Sequence, residues 1–261
     1  MDKQQWTTNL ARVEIEICTV CNLTCPNCDR SSAQAPSQEL MTVEQIQRFV
    51  DQSLALTWKW ERITMLGGEP MLHPQLTQIL EVLDRYRARA PETRFRIYSN
   101  GYGANVQRRL AALPAWIEVH NTNKAPDRPP LFSTYNVAPI DSPDCEGADY
   151  SKGCAITQWC GLGLTRYGFY PCGAGASVDR VFGLDLGLKQ LADVTPERVV
   201  QQLTRLCSLC GHYRDFDRRV EFVKHRSLHV LSDWTTSQVT SRTWEAAYAA
   251  YRTQPPTLSL F

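Results

Sequence analysis

The chain has no run of about eighteen apolar residues, so no membrane-crossing helix is expected. It carries no excess of either charge: Lys+Arg 28 stand against Asp+Glu 27, for a net charge of +1 at pH 7. That balance points to no nucleic-acid or anionic-membrane partner. The first residues, Met1-Asp2-Lys3-Gln4-Gln5-Trp6, lack the apolar core of an export signal, and no repeat of fixed period is visible. What is plentiful is cysteine. Ten thiols in 261 residues without an export signal argue for metal or redox chemistry in a reducing compartment, the cytoplasm, rather than a disulfide framework. A hydrophobic content of 43% supports a sizeable core, in one large domain or one domain with an appendage.

Three of the cysteines stand close together as Cys21-x3-Cys25-x2-Cys28. A loop of that length brings three thiolates to one point, and soft thiolates suit zinc, copper(I) or an iron–sulfur cluster. A closed structural zinc site takes four protein ligands, whereas three leave one position open for chemistry. A zinc ribbon with its fourth ligand elsewhere, or three unrelated core thiols, would have the same spacing. Further on, the apolar run Ile63-Thr64-Met65-Leu66 enters Gly67-Gly68-Glu69-Pro70, where two glycines allow a close backbone approach.

Residues 12–18 alternate, with Val13, Ile15 and Ile17 on one face and Glu14, Glu16 and Cys18 on the other, a strand of period two. Thr42-Val43-Glu44-Gln45 is a capping box ahead of Ile46, Phe49, Val50 and Leu54 at helical spacing. Strands are expected at 62–66, 94–99 and 116–120, with helices from 76 onward and at 104–113. This strict alternation is the pattern of parallel βαβ units. A fifth strand is expected at 131–137. In such folds ligands collect at strand carboxyl ends. The cysteine loop, residues 67–70, Ser99-Asn100-Gly101 and His120-Asn121 all fall there, on one rim. His73 reads as a polar residue ahead of proline at a helix start.

The cysteine trio followed by Gly67-Gly68-Glu69-Pro70 resembles the signature pair of the radical S-adenosylmethionine (radical SAM) superfamily, over roughly residues 12–215. The resemblance implies a partial (βα)6 TIM-type barrel in an α/β chain. It implies a 4Fe–4S cluster on Cys21, Cys25 and Cys28, with S-adenosylmethionine on the fourth iron. Gly67, Gly68, Glu69 and Pro70 would bind the methionyl amino group, and Ser99, Asn100 and His120 the ribose or carboxylate. Asn27 departs from the aromatic residue usual before the third cysteine, which bears on the adenine contact. A flavodoxin- or ferredoxin-type electron donor is also implied.

A second set of cysteines, Cys154, Cys160, Cys172, Cys207 and Cys210, fills the C-terminal part. Two short strands lie between Cys160 and Cys172, and a helix opened by Thr195-Pro196 leads into the knuckle Cys207-x2-Cys210. Four thiolates there fit zinc. Beside a radical SAM core they resemble the shortened auxiliary module called twitch, related to SPASM. By that resemblance Cys160, Cys172, Cys207 and Cys210 hold a second 4Fe–4S cluster in a β-hairpin-plus-helix module. The expected domains are 12–153 for the barrel, 154–215 for the module and 216–261 for a helical extension. Cys145 and Cys154 are left over; either could replace Cys160 as ligand or donate a hydrogen atom to a substrate radical.

The expected activity is a two-electron oxidation of a polar, hydroxyl-bearing, sugar-like small molecule, with Glu14, Glu16, Glu118 and His120 lining the barrel lumen. The alternatives are an epimerase using a cysteine hydrogen donor and a peptide maturase, the latter disfavoured by the roughly eleven residues ahead of the first strand. From another class comes a non-catalytic zinc-binding interaction protein.

Overall fold

The computed structural model describes residues 4–127, 135–215 and 240–261. The expected helical segment from Val220 to Val230, with His225 and His229, lies outside the described residues, as does most of the expected fifth strand; residues 135–137 form a turn.

Strands β1 (Arg12–Cys18), β2 (Arg62–Gly67), β3 (Arg94–Ser99) and β4 (Ile117–Asn121) alternate with helices α1 (Val43–Ala55), α2 (Leu76–Arg89) and α3 (Ala104–Ala111). They pair in parallel, in the spatial order β4-β3-β2-β1. On the far side of β1 comes β5 (Leu162–Thr165), also parallel, and then β6 (Gly168–Tyr170), antiparallel to β5. The result is a six-stranded, mostly parallel sheet. The hairpin expected in a separate module is therefore the continuation of the sheet beyond β1, across the expected boundary at residue 153. Among the described residues the fifth strand in chain order is the short run Leu162–Thr165.

Strand β1 is central and buried on both faces, as a parallel strand covered on each side should be. Val13, Ile15 and Ile17 pack with Ile46, Phe49, Ile79 and Leu83 from α1 and α2 in the main core. The other face turns Glu14 and Glu16 inward, both buried. The capping box forms as expected: Thr42 Oγ1 accepts from the Gln45 backbone, and Gln45 Oε1 accepts from the Thr42 backbone. Leu54, expected in the core stripe, is instead exposed. His73 is fully buried: Nδ1 accepts from the Gln75 backbone, which leaves Nε2 as the donor to the Met41 carbonyl 3.0 Å away.

The remaining helices are α4 (Ala155–Cys160), α5 (Gly173–Phe182), α6 (Pro196–Leu206), α7 (His212–Asp215) and α8 (Arg242–Thr253). Helix α4 has only six residues, with Cys154 as its N-cap and Cys160 as its last residue. Tyr170, Val178, Leu206, Trp244, Tyr248 and Tyr251 make a second core that joins α5, α6 and α8.

One tight joint lies where β2 leaves the sheet. A Cβ on Gly67 would stand 2.2 Å from the Cys18 carbonyl oxygen, and one on Gly68 2.3 Å from that of Val20. The two glycines let one backbone press against another; their N-terminal neighbour strand is what they approach. Gly67→Ala is expected to lower the urea midpoint by an amount equal to about 1–3 kcal/mol; an unchanged midpoint would remove this account of the glycines.

Candidate functional site

The cysteine loop leaves β1 and is held along its length. Thr19 N–H donates to Glu39 O, Gln34 Nε2 to Cys25 O, and Ser31 N–H to Cys28 O. From α5, Arg180 donates to Arg30 O at 2.6 Å and to Ala35 O at 3.0 Å. From α8, the Tyr248 hydroxyl meets Ser31 Oγ at 3.1 Å. Asn27 and Ser31, both in the left-handed region at φ 49°, turn the chain between these anchors. The loop's shape is thus imposed by the parts of the chain around it.

Glu69 does not face the open space. Its carboxylate is fully buried and accepts from Met71 N at 3.0 Å, Ser99 Oγ at 2.9 Å and Asn100 N at 2.7 Å. Burial raises its pKa, and the three donors work in the opposite direction. Glu69 therefore ties the end of β2 to the end of β3. It also aims Asn100, whose Nδ2 lies 2.8 Å from Asn22 Oδ1 and 3.8 Å from Cys21 Sγ.

Over this rim opens a cavity of about 340 Å3, lined by Cys21, Cys25, Cys28, Gly67, Gly68, Ser99 and Asn100 among others. Three of the four expected rim segments meet here. Glu69 and Pro70 stand behind the wall. His120 does not line the cavity; it is exposed on edge strand β4, its ring 4.4 Å from that of Tyr98, which does. Glu118 is likewise exposed and pairs with Arg96 at 2.8 Å. Of the acids expected in the lumen, Glu14 reaches the cavity, and Glu16 lies buried behind it.

Several lining residues were not singled out from sequence: Arg30, Tyr98, Thr122 and Lys124. Lys124 follows the fourth strand end, so its rim position carried a signal. Burial pushes all three thiols up, Cys25 to about 11, while Lys124 pulls Cys25 back down. Among the described residues no three His, Cys, Asp or Glu side chains close on a single metal-ion position. The thiols share one cavity without meeting at a point, and the donor set is all sulfur. That suits an iron–sulfur cluster, which spreads its ligands over separate irons.

The second cysteine set divides in two. Cys154, Cys172, Cys207 and Cys210 line one closed space of about 10 Å3 with His212, Tyr213 and Leu206. Their charges act on one another: Cys154, Cys172 and Cys207 all raise the pKa of Cys210, after burial itself. Cys172 is pushed up to about 12, chiefly by burial and then by Cys154. Cys160, expected in this set, lines the large cavity instead, beside Glu14 and Arg30. Cys145 is buried in a one-turn 3-10 helix and lines neither space. None of the ten cysteines is in a disulfide. Ile156 and Ala174 line both spaces, so the wall between them is one side chain thick.

Residues 15–119 match the family model described as the radical SAM superfamily, a span that runs from within β1 into β4 and takes in the cysteine trio and residues 67–70. No curated protein matches the chain. Among solved structures, BtrN in complex with AdoMet and 2-DOIA is 14% identical with a TM-score of 0.48, over 90% of this chain and 98% of BtrN. Selenomethionine BtrN in an open conformation is 18% identical with a TM-score of 0.44, over 83% and 91%. Streptococcus suis SuiB bound to precursor peptide SuiA is 16% identical with a TM-score of 0.33, over 44% of this chain; the match spans 24% of SuiB.

Two outcomes are expected. Glu69→Ala strands three buried donors and should cost about 3 kcal/mol in chemical denaturation, with Glu69→Gln costing less. Burial raises the Glu16 carboxyl to about 7, against the attraction of Arg30 and Arg180. Its neutral form is favoured in the fold, so its stabilising contribution is full below the usual carboxylate range and declines as pH rises toward 7. The melting-temperature difference between wild type and Glu16→Gln should therefore shift against wild type between about pH 4.5 and 7; a flat difference would contradict it.

Proposed function

We propose that this chain is a radical SAM enzyme. The reading is supported by one observation above all: Cys21, Cys25 and Cys28 share a cavity with Gly67, Gly68, Ser99 and Asn100 at the carboxyl ends of three parallel strands. Bound there, a 4Fe–4S cluster together with S-adenosylmethionine would supply radical chemistry that removes a hydrogen atom from a substrate. The three thiolates would hold the cluster. Asn100 Nδ2, directed at Cys21 Sγ, would donate to that sulfur, and Lys124 would offset negative charge at the same place. Gly67 and Gly68 present backbone rather than side chain to the cavity, leaving room for the methionyl end. His120 has no part in this arrangement.

The finer reading is a two-electron oxidation of a polar small molecule, with Cys154, Cys172, Cys207 and Cys210 holding a second cluster as electron acceptor. Cys154 takes the place first given to Cys160, because it lines the same closed space as the other three. The shared wall of Ile156 and Ala174 supports electron passage from cleft to chamber. A flavodoxin- or ferredoxin-type protein would supply the first electron.

Anaerobic reconstitution should give about eight irons per chain, about four for each site. Replacing Cys21, Cys25 and Cys28 with alanine should leave about four and abolish 5′-deoxyadenosine formation. Cys154→Ala should lose iron where Cys160→Ala does not. Colourless protein holding zinc would overturn the reading, and equal iron loss in the two single variants would overturn the ligand assignment.

A further inference from the structure

Three side chains at the inner end of the cleft take no part in holding either cysteine set. Glu14, on β1, accepts from Arg30 Nη2 at 3.0 Å, with the two side chains 9% and 10% exposed. The Cys160 thiol, at the end of α4, lies beside the same carboxylate, whose charge works with burial to raise its pKa. All three line the cavity. A buried ion pair recovers its desolvation cost only with good geometry and further hydrogen bonds, and an apolar pair of similar volume is often as stable. Here the geometry is incomplete: Arg30 Nη1 is buried and has no protein acceptor. Its place is nevertheless built for it, since a Cβ on Gly173 would stand 2.2 Å from Nη1. The guanidinium is thus fixed in position with one donor unused, at the edge of an open space.

We propose that Glu14, Arg30 and Cys160 form the substrate-gripping end of the cleft, and that this subsite takes an uncharged or cationic group bearing hydroxyls or amines, not a phosphate or carboxylate. The proposal rests on the reading that the cleft is where a substrate binds. The sign follows from the neighbours. The Arg30 guanidinium has Glu14 at 3.0 Å and Asp29 at 3.7 Å, and both acids line the cavity with it, while Glu16 on the same strand as Glu14 lies buried. Arg180 also acts on Glu16. An anionic ligand would meet Glu14 and Asp29 at the cavity wall. A hydroxyl can accept from Arg30 and donate to Glu14, and an amine or ammonium group can donate to Glu14.

The test uses the reconstituted full chain, in which cluster ligands are protected and Cys160 is not. It is treated separately with 2-(trimethylammonium)ethyl and 2-sulfonatoethyl methanethiosulfonate, and labelled sites are read by peptide mass spectrometry. After normalisation to 2-mercaptoethanol, Cys160 should react about tenfold faster with the cationic reagent. Glu14→Gln should bring that ratio toward one, and Cys160→Ser should abolish the label. A ratio of one or below in the native protein, or no label on Cys160 from either reagent, overturns the proposal whatever the variant does. Release of 5′-deoxyadenosine by the same preparation without added substrate reads the radical assignment separately. Protein that labels as expected yet releases none keeps the subsite and loses the enzyme.

Discussion

A carboxylate with no access to water organises this rim. Glu69 collects two backbone N–H groups and one hydroxyl from two different strand exits. Parallel strands end without covalent connection between their tips, so something must set the tips relative to one another. Here it is done by charge-assisted hydrogen bonds, which are stronger than neutral ones. The glycines just before it bring the exit of β1 against that of β2, so three strand ends are registered by three consecutive residues. The cysteine loop, Asn100 and the cavity between them all take their positions from that registration.

The contrast with the second set of thiols is one of openness. The first three are partly exposed, in a cleft that Arg30 and Lys124 also line. The other four are enclosed among apolar side chains and have almost no free volume around them. Helices α5 and α6 build that enclosure, and α5 also sends Arg180 back to clamp the loop after Cys28. The two halves of the chain therefore support one another.

Much of the rim was legible in the sequence because its chemistry is local. The trio and the Gly67-Gly68-Glu69-Pro70 turn are short segments whose spacing carries their meaning. Period-two alternation placed Glu14 correctly, since β1 is covered on both sides. The same alternation failed for His120, because β4 is the sheet edge and its faces are open. Residues 162–165 and 168–170 read in sequence as an isolated hairpin, and pairing with β1, far away in sequence, is what makes them part of the sheet. Cys154 and Cys160 were indistinguishable by spacing alone, and only the direction of α4 separates them. Arg30 gave no signal at all: its partner Glu14 and its cradle at Gly173 lie on other elements.

Helix α4 deserves a mechanical reading. At about 1.5 Å per residue, a six-residue helix is a rod some 9 Å long. One tip carries a thiol of the closed chamber and the other a thiol of the cleft. Such a short rod transmits displacement and has little freedom to absorb it. Any displacement of Cys154 in the inner chamber would thus be felt at Cys160 in the wall of the cleft.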